Sequence, residues 1–292
     1  MHRALLAVVA LVAGLAAACS SDGDEKDDGP DLADVDLSAG TVETFVTKAA
    51  GDRLDCLEVP GGDEVGDFTT CLSDNRYSAH LYVFRDDDGA PQRIVIENDG
   101  DRPVGDNLTA LRTTVLADVP GSEVEAAVAG DEVTPFDGGA VKGGGAQVVV
   151  AVDEKTADEA FPALPTLDPT AVAAALEDGG AAQCDESDGG ARCRGAGIYA
   201  TADSAGGEGS AATMTAQVAV TTENHWFENV PEFLETAGMP LTDDSLDALA
   251  ACQPDKETCK PRLVTETGLL VDLMANFEFT LVTVSGFASM GS

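Results

Sequence analysis

Six of the seven cysteines fall into three tight couples, Cys56 with Cys71, Cys184 with Cys193, and Cys252 with Cys259. Six cysteines allow many connectivities. Each couple, however, lies inside one expected hairpin or turn, so neighbour pairing is the simplest scheme. Zinc is the rival use of such residues, but it would need Cys-x2-Cys spacings or nearby histidines, and neither is present. Disulfides in turn imply an exported, oxidising location. Each short closure would contribute ~2–3 kcal/mol in the loop-entropy account.

The couples also punctuate a repeat. Val42, Phe45, Val46 and Ala49 recur at helical spacing ahead of the Cys56–Cys71 hairpin. A strand over Tyr77–Arg85, an acidic turn at Asp86-Asp87-Asp88-Gly89 and a strand ending in Glu97-Asn98 follow. Two short helices come next, one carrying Leu108, Leu111 and Val115, the other opening on a capping box of Ser122 and Glu125. Strands near Asp131–Val141 and Gln147–Val152 complete this stretch. The order then replays. Asp168-Pro169 caps a helix with Val172, Ala175 and Leu176. The Cys184–Cys193 hairpin follows, then strands at Ile198–Ala202 and Met214–Thr222, the latter running into Glu223-Asn224 as an echo of Glu97-Asn98. Helices at Pro231–Ala237 and Asp243–Ala251 precede strands at Leu263–Leu273 and Phe277–Val284.

This pattern predicts an α+β fold of two similar halves, 41–160 and 161–292, each an antiparallel sheet with its helices on one face. A pseudo-twofold duplication is the simplest relation between them, with Pro162, Pro165 and Thr166 marking the linker. The junction would then be the natural place for a groove.

The N-terminus carries a different message. Met1-His2-Arg3 is a short basic start, and Ala4 to Ala18 is apolar throughout, yet shorter than the roughly 20 residues that span a bilayer as a helix. Residues 1–18 therefore read as a signal peptide. Leu15-Ala16-Ala17-Ala18-Cys19-Ser20-Ser21 resembles the lipobox of bacterial lipoproteins, with Leu15 one residue early and Ala16 where the family usually has Leu. The resemblance covers only these first residues. It implies a diacylglycerol group on Cys19, and two acyl chains suffice for stable membrane attachment. The expected location is the extracytoplasmic face of the cell membrane. Residues 19–40 hold eight acids between Ser20 and Ala39 and few large apolar residues, so they read as a disordered acidic tether that reaches at most ~70 Å.

With 53 acidic and 16 basic residues the formal charge is −37. A field of that sign repels phosphate backbones and anionic headgroups, which argues against nucleic acid as a partner and against flat adsorption on lipid. Solubility at a crowded surface accounts for the acidity; loose binding of Ca²⁺ is the sharper alternative. Scarce Lys with plentiful Ala, Gly, Val and Asp points to a GC-rich actinobacterial genome, or to a salt-adapted organism.

Chemistry is harder to find. No Gly-x-Ser-x-Gly or Ser-x-x-Lys occurs. Gly143-Gly144-Gly145 has no following Lys-Ser/Thr, and no EF-hand loop is present. His80 falls mid-strand on the expected face of Ser78, Tyr82 and Phe84, where a half-buried structural role outweighs a catalytic one. His225-Trp226-Phe227 is the one cluster that mixes a titratable group with large aromatics, and it reads either as a binding patch or as a core anchor. No cofactor is implied. The reading that results is a membrane-anchored, non-catalytic lipoprotein that binds a protein, wall polymer or small ligand. A carboxylate-dependent hydrolase of wall or extracellular polymer and a Ca²⁺-binding surface protein are the alternatives.

Overall fold

The computed structural model describes residues 35–50, 54–73, 79–97, 104–144, 147–187, 189–205, 211–219, 227–252, 261–275 and 279–287. Cys19, the proposed lipid site, lies outside them, as do residues 19–34 of the acidic tether. Packing nevertheless begins ahead of Thr41, because Val35 and Leu37 are already buried in the core of the first half. Ser38 then caps the first helix through the amide of Thr41. The Asp36 carboxyl accepts from the Thr41 hydroxyl and the Ser38 amide, which holds it below the usual carboxylate range.

The first half runs α1 (Ala39–Ala50), β1 (Leu54–Val59), a single turn α2 (Gly62–Val65), β2 (Phe68–Ser73), β3 (Ala79–Arg85), β4 (Pro91–Glu97), α3 (Val104–Thr113), α4 (Gly121–Ala129), β5 (Val133–Phe136), β6 (Gly139–Gly144) and β7 (Gln147–Ala151). After α5 (Glu154–Asp158), the second half runs α6 (Pro169–Asp178), β8 (Gln183–Ser187), β9 (Gly190–Gly195), β10 (Ile198–Asp203), β11 (Thr213–Ala219), α7 (Val230–Thr236), α8 (Asp243–Ala251), β12 (Arg262–Val264), β13 (Leu270–Ala275) and β14 (Phe279–Ser285). Each half forms a seven-stranded antiparallel sheet. The order is β1-β2-β3-β4-β7-β6-β5 in one and β8-β9-β10-β11-β14-β13-β12 in the other, which is the same path traced twice. The expected α+β class with two similar halves therefore holds.

The disulfides fix the correspondence. Cys56 pairs directly with Cys71 across β1–β2, and Cys184 with Cys193 across β8–β9, the matching hairpin. Cys252 is also disulfide-bonded, and its partner, expected to be Cys259, lies outside the described residues.

One face of each sheet is apolar because alternate residues point to it. Leu81, Val83, Ile94, Ile96, Val141 and Val150 meet α1, α3 and α4 through Val42, Phe45, Leu111, Val124 and Ala127. In the second half Ala200, Met214, Ala216, Val282 and Val284 meet α6 and α7 through Val172, Leu176, Phe233 and Leu234. Asp168 caps α6 as expected, its carboxylate accepting from the amides of Thr170 and Ala171.

Four local expectations fail, each for a visible reason. The strand expected near Asp131–Val141 is a hairpin, β5–β6, folded at Asp137-Gly138 with Gly138 at φ 84°. The one expected over Leu263–Leu273 is broken by a turn in which the Thr265 hydroxyl accepts from the Leu269 amide. The capping box at Ser122 and Glu125 does not form: α4 begins two residues earlier, behind Pro120, and Glu125 faces Arg112 at 3.6 Å. Finally, β3 is not regular at His80. Cys71 pairs with Leu81 and Leu72 with Ala79, which leaves His80 as the extra residue of a bulge.

The charge has a measurable consequence for stability. Surface ion pairs such as Lys155–Glu159 contribute ~0–1 kcal/mol each, far too little to offset the self-repulsion of a −37 chain. Raising NaCl from ~10 to ~150 mM shortens the screening length from ~30 to ~8 Å. The melting temperature is expected to rise by a few degrees over that range in a scanning calorimeter; a fall would mean that attractive pairs dominate.

Candidate binding surfaces

The outer faces of the two sheets, away from their helices, differ sharply. In the first half Leu57, Val59, Phe68, Leu72, Tyr82, Phe84, Val95 and Val149 occupy that face and form a second core with Leu164, Val264, Leu270 and Phe287. The rings of Phe68, Phe84 and Phe287 lie 5.5–5.6 Å apart around Phe68, and Tyr82 stacks on Phe84 at 6.1 Å. Burial, reinforced by Glu97, pushes the Tyr82 hydroxyl well above its ordinary pKa. This core is where the halves join. The first sheet contributes β1–β4 and β7, whereas the second contributes β12 and β13, the counterparts of β5 and β6.

Two arginines fasten the junction. Arg262 reaches Asp55 at 3.3 Å and donates to the Leu72 carbonyl at 3.2 Å. Arg93, 6% exposed, donates to the carbonyl oxygens of Glu159 and Ala160 and lies 4.3 Å from the Phe161 ring, which ties the linker to the sheet. Desolvation lowers the Arg93 pKa, with Glu159 opposing the shift. These buried titratable groups hold the junction together.

A cavity of about 300 Å³ lies at this junction, lined by Pro60, Gly61, Gly62, Val65, Ala163, Pro165, Glu266 and Thr267. It lies where the groove between the halves is expected. Of the His225-Trp226-Phe227 cluster, the first two residues lie outside the described residues. Phe227 is half-buried against the second core, and its carbonyl accepts the Val230 amide at the start of α7. The His80 side chain is likewise outside the description. Among the described residues, no three His, Cys, Asp or Glu side chains converge to hold a metal ion, and no helix is long and apolar enough to cross a membrane.

The outer face of the second sheet is the surface that sequence reasoning missed. Aligning the two disulfide hairpins and following the strand pairing matches residue to residue. Leu57, Leu72, Tyr82, Phe84, Val95 and Val149 correspond to Asp185, Arg194, Thr201, Asp203, Thr215 and Thr283. A buried apolar face in one half is thus a polar one in the other. Across its middle run Arg192, Thr201 and Thr215, beside a second row of Arg194, Tyr199 and Gln217. Arg192, Arg194, Thr215 and Gln217 are exposed, as are Tyr199 at 38% and Met274 at 41%. The signal lay in the composition of β9 to β11, where Arg194, Thr201 and Thr215 stand at the positions that Leu72, Tyr82 and Val95 occupy in the first half.

Comparison with protein-family models, with curated proteins and with solved structures finds no match to this chain.

Proposed function

We propose that this chain is a lipid-anchored binding module held through Cys19 at the extracytoplasmic face of the cell membrane, and that it works without catalysis. The observation that supports the binding role is the contrast between the outer faces: a shared topology, buried in the first half and left open and polar over β8–β11 of the second. The junction cavity carries a single carboxylate, Glu266, among its described lining residues. Glycoside hydrolysis by paired carboxyls calls for two, so the cavity does not favour the hydrolase alternative. The halves arose by duplication, and the shared strand order supports that origin. Their contact draws on unequal patches, which favours a head-to-tail relation over a twofold one.

Fractionation tests the anchor. Cys19→Ala is expected to move the protein from the membrane pellet to the medium, or to leave it unprocessed. Unchanged retention of a processed chain would sink the anchored reading.

A further inference from the structure

We infer that the open face of the second sheet is a docking surface for an extended acidic peptide segment of a partner protein, gripped by Arg192 and Arg194. The inference builds on the binding-module reading and names its surface and partner chemistry.

The described arginines divide cleanly. Arg85 pairs with Glu58, Arg112 with Glu125, and Arg262 with Asp55, while Arg93 is spent on two carbonyls. Arg192 and Arg194 are the exceptions: among the described residues neither has a carboxylate within 4.0 Å. In a chain with 53 acidic residues against 16 basic ones, finding a carboxylate partner is easy. Arg192 and Arg194 are two residues apart on a single strand, β9, and both are exposed.

Their spacing is the recognition element. Residues i and i+2 of a strand share a face and lie ~6.5–7 Å apart, so two guanidiniums line up beside the edge hairpin. Carboxylates at i and i+2 of an extended peptide repeat the same interval. Each guanidinium offers a planar fork of donors that a carboxylate accepts in bidentate fashion. Tyr199 lies opposite Arg194, with the guanidinium 5.6 Å from its ring, which orients that fork and offers an apolar plane to the peptide. Thr201, Thr215 and Gln217 extend the array with hydroxyls and an amide.

The acidic neighbours are Asp185, across the hairpin from Arg192, and Asp203 at the far end of β10. Neither comes within 4.0 Å of a guanidinium. The remaining negative charge of the chain acts from farther away and is screened beyond ~8 Å at physiological salt. A second copy of this chain does not fit: laid sheet to sheet about an axis along β11, its β8–β9 edge would meet the first half, which already covers Leu270 and Val264.

The test is fluorescence anisotropy at physiological salt, with the full chain titrated against a labelled, end-blocked peptide of alternating Glu and Thr. An otherwise identical peptide of alternating Gln and Thr is the comparison. The Glu peptide is expected to bind at least about tenfold tighter, as two charge-assisted pairs require. Arg192→Glu with Arg194→Glu is expected to abolish that difference. Lys155→Glu, on the exposed side of α5, should leave it unchanged. Equal binding of the two peptides, or a preference that survives the double reversal, overturns the proposal. So does tight binding of a neutral wall-type oligosaccharide that is lost in Tyr199→Ala yet indifferent to the arginine reversals, because the face would then recognise glycan. Failure on these grounds leaves the Cys19 anchor untouched, since that reading stands or falls on fractionation.

Discussion

Gly268→Val is expected to lower the unfolding free energy by about 4 kcal/mol, as a shift of the denaturant midpoint with little change in slope. Gly268 sits at φ 77° in the turn between β12 and β13, and its amide donates to the Thr265 carbonyl. A Cβ there would lie 2.2 Å from the Pro60 carbonyl oxygen and 2.7 Å from Pro165. Pro60 belongs to the first half and Pro165 to the linker, so the side chain would have to force three segments apart. Neither carbonyl nor ring can yield cheaply, because both are held by the same junction that Arg262 and Phe287 close. Two effects add: left-handed backbone, at roughly 1–2 kcal/mol for a residue with a Cβ, and overpacking, at about 1–3 kcal/mol. Gly89 separates them. It has nearly the same φ, 79°, in the β3–β4 turn, and a Cβ there meets open space. Gly89→Ala is therefore expected to cost only the backbone share, and Gly268→Ala clearly more. Equal costs for the two alanines would mean that the halves are not wedged at this turn.

Much of this arrangement is legible in the chain before any coordinates. The cysteine couples mark matching hairpins because a short disulfide loop demands adjacent strands, and the register puts Cys56 opposite Cys71 and Cys184 opposite Cys193. Helix α8 begins and ends as its sequence predicts, since Thr242 ahead of Asp243 and the apolar spacing to Leu249 leave one reading. Local competition defeated other readings. Ser122 and Glu125 satisfy a capping-box pattern, but Pro120 already has the geometry to enter a helix, so Ser122 falls inside it. Asp137-Gly138 is a turn signal that the apolar flanks on either side outweighed. The candidate surface was the least legible part. Whether a polar strand face is bare depends on which sheet the linker and Phe287 fold over, and that choice is made by contacts between residues more than a hundred positions apart. The alternation of Arg192, Arg194, Tyr199 and Thr201 was present in the chain, but only the pairing with the first half shows that Arg194 and Thr201 stand where it buries Leu72 and Tyr82.

Phe68→Ala is expected to cost about 4–5 kcal/mol, the upper range for emptying a buried aromatic site. Phe68 is fully buried and stands within ring contact of Tyr82, Phe84 and Phe287. Such pairs add ~0.5–1.5 kcal/mol beyond the area they bury. Two of these neighbours, Tyr82 and Phe84, come from the same sheet face, but Phe287 closes the cluster from beyond the end of β14, so the loss falls on the contact between halves as well as on the first sheet. The matching position in the second half is Gly190, where no ring exists to lose, and the face around it is polar. Thr215→Ala, at the counterpart of the buried Val95, is accordingly expected to stay within about 0.5 kcal/mol of the parent, as exposed substitutions do. Chemical denaturation of the two variants side by side measures the asymmetry between the faces. If Thr215→Ala destabilised the chain as Phe68→Ala does, the second face would be packed rather than open, and the surface offered to a partner would vanish with it. A large loss in Phe68→Ala beside a silent Thr215→Ala is the outcome that the difference between Val95 and Thr215 requires: one topology used twice, once to build a core and once to leave a polar face exposed.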